Sequence, residues 1–213
     1  MLSLLILDAI IGITMGNLAY FVSLFITLIA LWASRFNWSE FGLSKPNWGN
    51  SILKALGYSV GIFAINDIIL QPLIELFVGE IDLSSLDGLR GNFANYVIML
   101  LLMWVVAAFG EELIYRGYFV KRIAGLFGNT ETGWYISALL VAIGFGIAHM
   151  YQGPAGMITT GFVGFIFAWI FIRNKSNLWV AMLTHGFYDV IGITMIYLDS
   201  ERVIVDAIQE MLS

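Results

Sequence analysis

Six apolar runs, each close to the length that crosses a bilayer, constrain this chain more than any other feature. They cover about residues 1–33, 51–71, 93–118, 134–151, 155–172 and 177–198, with polar segments between them. About 20 helical residues span roughly 30 Å of hydrocarbon. There every backbone polar group must be bonded within the protein, so such runs fold as helices. Strand-type alternation is absent, which argues against a β-barrel. Of the 213 residues, 60% are hydrophobic and 12% are charged. A soluble domain carries about twice that charge fraction. The expectation is an all-α, polytopic transmembrane helix bundle of about six spans with a buried polar cavity. Residues 1–213 form a single membrane domain in this reading.

The first run is too short for two spans and a turn. It is read as one long span whose best core is Leu18–Ala33, with residues 1–17 either spanning or re-entrant. It has no basic leading region, and Asp8 interrupts it, so no secretory signal is expected. In a six-span arrangement Arg35, Lys45, Lys54, Arg116, Lys121, Arg122, Arg173 and Lys175 fall on one side. Only Arg90 and Arg202 fall on the other. The positive-inside rule puts the first side in the cytoplasm. Trp32, Trp38, Trp48, Trp134 and Trp179 gather at the same edge, as interfacial indoles do. The pairs Gly12-x-x-x-Gly16 and Gly57-x-x-x-Gly61 are read as helix-packing positions. No internal repeat is evident, so an inverted-repeat transporter gains no support. Net charge is −5, which leaves no basic surface for nucleic acid. There is no cysteine, so disulfides, thiolate metal sites and a cysteine nucleophile are excluded together.

Ionisable groups inside a bilayer cost at least ~2.5–3.5 kcal/mol each and usually face a cavity or a partner. The candidates are Asp8, Asp67, Glu111, Glu112, Arg116, His149, His185 and Asp189, and they include both histidines of the chain. Glu111 and Glu112 are adjacent, so on a helix they point about 100° apart. Glu112 and Arg116 stand at i, i+4 and can form a structural ion pair, which leaves Glu111 free for acid–base work. His185 and Asp189 also share a face at i, i+4. Counted from the cytoplasmic edge at 1.5 Å per residue, Glu111 and His185 lie roughly 14–16 Å deep and His149 about 8–10 Å deeper. Asp8 and Asp67 have no partner at helical spacing and are read as packing or interfacial groups.

Two histidines with carboxylates in a dry cavity suggest activated water. In one version His149, His185 and a carboxylate hold Zn²⁺. In the other, Glu111 and His149 deprotonate water while His185 and Asp189 stabilise the oxyanion, provided they donate hydrogen bonds. There is no His-Glu-x-x-His element and no Gly-x-Ser-x-Gly element.

Three elements occur in order on three helices: Glu111-Glu112-x-x-x-Arg116, Phe145-x-x-x-His149 and His185-x-x-x-Asp189. With Tyr115-Arg116-Gly117 and Asn177-Leu178-Trp179, they resemble the CPBP family of intramembrane proteases. That family groups the CAAX prenyl endopeptidases with bacteriocin-processing and immunity proteins. The resemblance covers about residues 95–190, a family-like catalytic core. It implies Glu111 as the base that activates water, His149 assisting, and His185 with residue 189 polarising the scissile carbonyl. Glu112 and Arg116 would support the site. If a metal is bound, Glu111, His149, His185 and Asp189 are the candidate ligands, with Zn the candidate ion. The third element often ends in Asn, and here it ends in Asp189. An ionised Asp would repel an oxyanion, so this residue is expected to be protonated, to bind a metal or to orient His185.

The expected activity is therefore intramembrane peptide-bond hydrolysis near the cytoplasmic half of the bilayer. The expected partners are a peptide or membrane-protein substrate and the lipid bilayer, and the expected location is a prokaryotic cell membrane. A non-catalytic scaffold or bacteriocin-immunity protein of the same fold is the alternative, and a proton-coupled transporter is the outsider.

Overall fold

The computed structural model describes residues 15–212, so Asp8, Gly12 and the question of how residues 1–14 meet the membrane lie outside the described residues. The described residues form helices and contain no strand. Helix α1 covers Met15–Ala33. Four further helices are α2 (Trp48–Val78), α3 (Phe93–Leu126), α4 (Glu131–Ala148) and α6 (Leu178–Tyr197). Between α4 and α6 lies α5 (Gly153–Arg173), preceded by a 3₁₀ turn at Met150–Gln152. Five of these helical stretches are long and apolar enough to cross a membrane, and Leu18–Ala33 is a shorter apolar helix. The all-α membrane bundle is therefore as expected, and the protein is an integral membrane protein.

Polar residues set the helix starts. The side chains of Asn47, Asn92, Thr130 and Asn177 each accept a backbone N–H from the first turn of the helix that follows. This satisfies donors that the helix itself leaves free. Pro154 stands in the first turn of α5, where its missing N–H is harmless. Two helices run well past the apolar windows: α2 has 31 residues and α3 has 34. Both contain π-helical turns, at Phe63–Leu70 in α2 and at Met103–Glu111 and Leu113–Val120 in α3. A final helix, α7 (Val203–Leu212), was not expected; it packs against the end of α2.

Some sequence expectations change. Arg116 is not an edge cation: it is fully buried, which leaves seven Lys and Arg residues on the cytoplasmic side against Arg90 and Arg202. Gly57 and Gly61 are not packing positions, because a Cβ at either would meet nothing within 4 Å. The buried stripe of α2 runs instead through Ser51, Ala55, Ser59 and Ile62. Trp48 and Trp179 do meet near the cytoplasmic edge, with ring centroids 5.0 Å apart, and Trp179 Nε1 donates to the Ser44 carbonyl.

The two ends of the bundle are built differently. The Lys- and Arg-rich half is a packed core that includes Leu31, Phe41, Leu113, Val120, Phe171 and Leu178. The opposite half, which the positive-inside rule makes the outer one, holds a half-open cavity of about 540 Å³. The outer segments are acidic. Glu75, Glu80, Asp82 and Asp87 lie on the 72–92 side, and Asp199, Glu201, Asp206 and Glu210 follow α6. Arg90 bridges Asp87, Asp199 and Glu201, while Arg202 bridges Glu75, Glu80 and Asp206.

Candidate active site

Glu111 and Glu112 diverge as adjacent helical residues must. Glu112 is fully buried, whereas Glu111 lines the cavity. Arg116 Nη1 donates to Glu112 Oε1 at 2.7 Å, one turn along α3. Its Nη2 donates to the Gly164 carbonyl on α5 at 2.6 Å. The guanidinium also lies over the rings of Phe145 and Phe167, at 4.9 and 5.3 Å from their centroids. Charge, hydrogen bonds and π-faces together compensate a cation that burial alone would exclude.

Glu112 does more than pair with Arg116. The same Oε1 lies 2.9 Å from His185 Nδ1. On the other side of the imidazole, Nε2 lies 3.3 Å from Asp189 Oδ2. His185 is therefore held between two carboxylates from α3 and α6. Phe167 stacks on its ring, with centroids 4.5 Å apart. The i, i+4 contacts within each helix were legible in the sequence; the link from Glu112 to His185 was not.

His149 caps the end of α4, and its Nδ1 lies 2.8 Å from the Phe145 carbonyl. A carbonyl only accepts, so Nδ1 carries the proton and Nε2 is left as an acceptor. The Phe145 ring lies 4.7 Å from the His149 ring and 6.5 Å from the His185 ring. The depth gap counted along the sequence thus closes in the folded bundle. Such counting holds only for parallel helices that start at one level. Glu111, His149, His185 and Asp189 all line the same cavity. Glu111 is the one whose carboxylate has no hydrogen bond from a described residue.

The four candidate metal ligands do not fit Zn²⁺ as they are arranged. Both ring nitrogens of His185 already face carboxylates, so neither presents a lone pair to a cation. Among the described residues no three His, Asp or Glu side chains form a metal-holding group.

Residues that sequence reasoning missed also shape the site. Phe167 stacks on His185, and no local pattern marks it. Asp67 was read as a packing or interfacial group, yet it lines the cavity and accepts a hydrogen bond from Tyr188 Oη at 2.9 Å. Tyr188 stands three residues after His185, so helical spacing could have flagged it.

Residues 93–191, which hold all six candidate residues, match the family model described as type II CAAX prenyl endopeptidase Rce1-like. This stretch belongs to that family. The match bears out the resemblance to the CPBP proteases over residues 93–191 and supports, at family level, an intramembrane endopeptidase. Comparison with curated proteins and with solved structures gave no match. The CAAX-protease stretch begins where α3 begins, so α1 and α2 lie before it.

Proposed function

We propose that the protein hydrolyses a peptide bond by a glutamate-activated water within the outer-half cavity. The observation that carries this reading is the Glu111 carboxylate, unpaired among the described residues, on a cavity shared with His149, His185 and Asp189. Glu111 takes a proton from water as the oxygen attacks the scissile carbonyl carbon. His149 Nε2, the free acceptor, orients that water. The carbonyl electron pair moves onto oxygen, and the proton shared by His185 and Asp189 stabilises it. Asp189 in place of Asn suits this role only as one end of that shared proton. Collapse of the tetrahedral species breaks the C–N bond, and Glu111 returns its proton to the leaving nitrogen. One water is consumed, and one new carboxylate and one new amine result.

Glu112 and Arg116 hold His185 from the core side and do not touch substrate. The largely apolar cavity wall lowers the polarity around these groups, which strengthens each of these interactions. No step is routed through a metal, because the donor set does not fit one.

The test compares peptide termini in cells carrying wild-type and Glu111→Gln protein. The variant is expected to stay folded and to lose activity by at least ~10²-fold, the scale of a lost general base. Full cleavage by Glu111→Gln would overturn the role. Activity is expected to persist after exhaustive chelation that metal analysis shows to be complete.

A further inference from the structure

Four carboxylates line the cavity: Asp67, Glu111, Asp189 and Glu201. Glu201 meets Arg90, and Asp189 meets the His185 ring. Glu111 is taken up by the chemistry. Asp67 remains, and among the described residues it has no cationic partner. Its Oδ2 accepts from the Tyr188 hydroxyl at 2.9 Å and, at the limit of 3.5 Å, from Asn66 Nδ2. Neither donor carries a charge. Asn66 is 3% exposed, and its Oδ1 has no hydrogen-bond partner. Two adjacent side chains on one π-helical turn of α2 thus bring acceptor capacity to the cavity wall that no described residue uses. Such turns recur at functional positions. A carboxylate in low-polarity surroundings is stabilised by a cation or by N–H donors. Arg202, the cation that lines this cavity, is held by Glu75, Glu80 and Asp206, which leaves the charge at Asp67 for a ligand to meet.

The placement suits a peptide in the protease site. Tyr188 is on α6, one turn from His185, and the Phe167 ring stands 4.5 Å from the His185 ring and 6.3 Å from the Tyr188 ring. The segments at and beyond the cavity mouth carry eight acidic residues against Arg90 and Arg202, a field that draws cations toward this side.

We propose that Asp67, with Asn66 and Tyr188, is a binding site for the ammonium or guanidinium group of a basic residue in the peptide substrate. Its assignment to a substrate rests on the protease reading above; the cation site itself does not, and binding is measured without cleavage. The probe is octylguanidinium, a cation on an apolar tail, with uncharged octylurea of the same length as its control. Purified full-length protein in detergent is titrated with each, and the thermal unfolding midpoint is followed. Octylguanidinium is expected to raise the midpoint of wild-type and Glu111→Gln protein alike, and octylurea is not. Asp67→Asn should weaken the cation's effect by about tenfold or more, the scale of one lost charge-assisted contact. Equal effects of the two compounds, or an unchanged effect in Asp67→Asn, overturn the proposal.

If Asp67→Asn does not accumulate as folded protein, Gly192→Cys decides the matter. Gly192 lines the cavity one turn beyond Tyr188, and a Cβ there meets nothing within 4 Å. Octylguanidinium should slow alkylation of the introduced thiol more than octylurea does, and equal slowing overturns the site. Cation binding in a protein that cleaves nothing would retain this site and remove the protease reading. Cleavage without cation binding would do the reverse. Where cleavage occurs, cut sites are expected to carry Lys or Arg near the scissile bond, with that enrichment lost in Asp67→Asn.

Discussion

Arg116 heads the largest fully buried side chains among the described residues, and its partners explain how that is tolerated. It spans Glu112 on its own helix and the Gly164 carbonyl on α5, so it ties the catalytic helix to its neighbour. Removing it leaves Glu112 as a buried charge whose Oε2 already has no hydrogen bond. Arg116→Met is expected to destabilise the protein by ~3–5 kcal/mol. Arg116→Lys should not restore it, since a single ammonium cannot match the guanidinium fork. Reversible unfolding in detergent measures this, and a loss under about 1 kcal/mol would contradict the role. The double variant Glu112→Gln/Arg116→Met should recover part of the stability, yet not the activity, because His185 loses the carboxylate charge at Nδ1. At this scale the sequence was informative wherever spacing alone decides contact. Glu112–Arg116 and His185–Asp189 follow from 3.6 residues per turn. The Glu112–His185 contact joins residues 73 apart, and no periodicity reports it.

Among the elements, α3 departs most from the apolar windows. The apolar run ends near residue 118 while the helix continues to Leu126, and Arg116 inside that run is neutralised internally rather than hydrated. Hydropathy averages cannot see such compensation. α6 shows a second dependence on neighbours. Gly186 follows His185, and a Cβ there would stand 2.2 Å from the Trp104 ring on α3. An indole cannot move aside cheaply, so Gly186→Ala is expected to cost ~1–3 kcal/mol through overpacking. It should also lower activity by displacing His185. Gly192→Ala, on the same helix with open space at its Cβ, should leave stability unchanged. Thermal unfolding of the two variants side by side checks the contrast, and equal midpoints would refute it. The two glycine pairs singled out by their spacing were not informative in this way: Gly57 and Gly61 touch no neighbour, and Gly12 lies outside the described residues. Which glycines are crowded depends on what packs against them.

Across the whole molecule, charge and cavity are arranged along the same axis. The Lys- and Arg-rich end is closed by the packed core, and the acidic end encloses the cavity. On α3 the lining residues run from Met99 to Glu111, and on α6 from His185 to Ile196. On both helices they therefore lie on the outer side of the catalytic groups. The expectation of cleavage near the cytoplasmic half therefore gives way to a proposal of access from the opposite face. The chain has no cysteine, so single introduced thiols report sidedness without background. Gly192→Cys should react with a membrane-impermeant maleimide applied outside intact cells. Gly125→Cys, in the last turn of α3 with open space at its Cβ, should react only after lysis. The reverse pattern would invert the orientation and the access route together. By itself the sequence determined the solvent, the helical class, the orientation signal and the residues able to do chemistry. All of these follow from hydropathy, charge and spacing along one chain. Only the tertiary structure decided which carboxylate is locked to His185, which remains free, that Asp67 faces the cavity, and on which side the cavity lies. Each of those is a contact or an empty volume between helices, and helices far apart in sequence meet only when the bundle is packed.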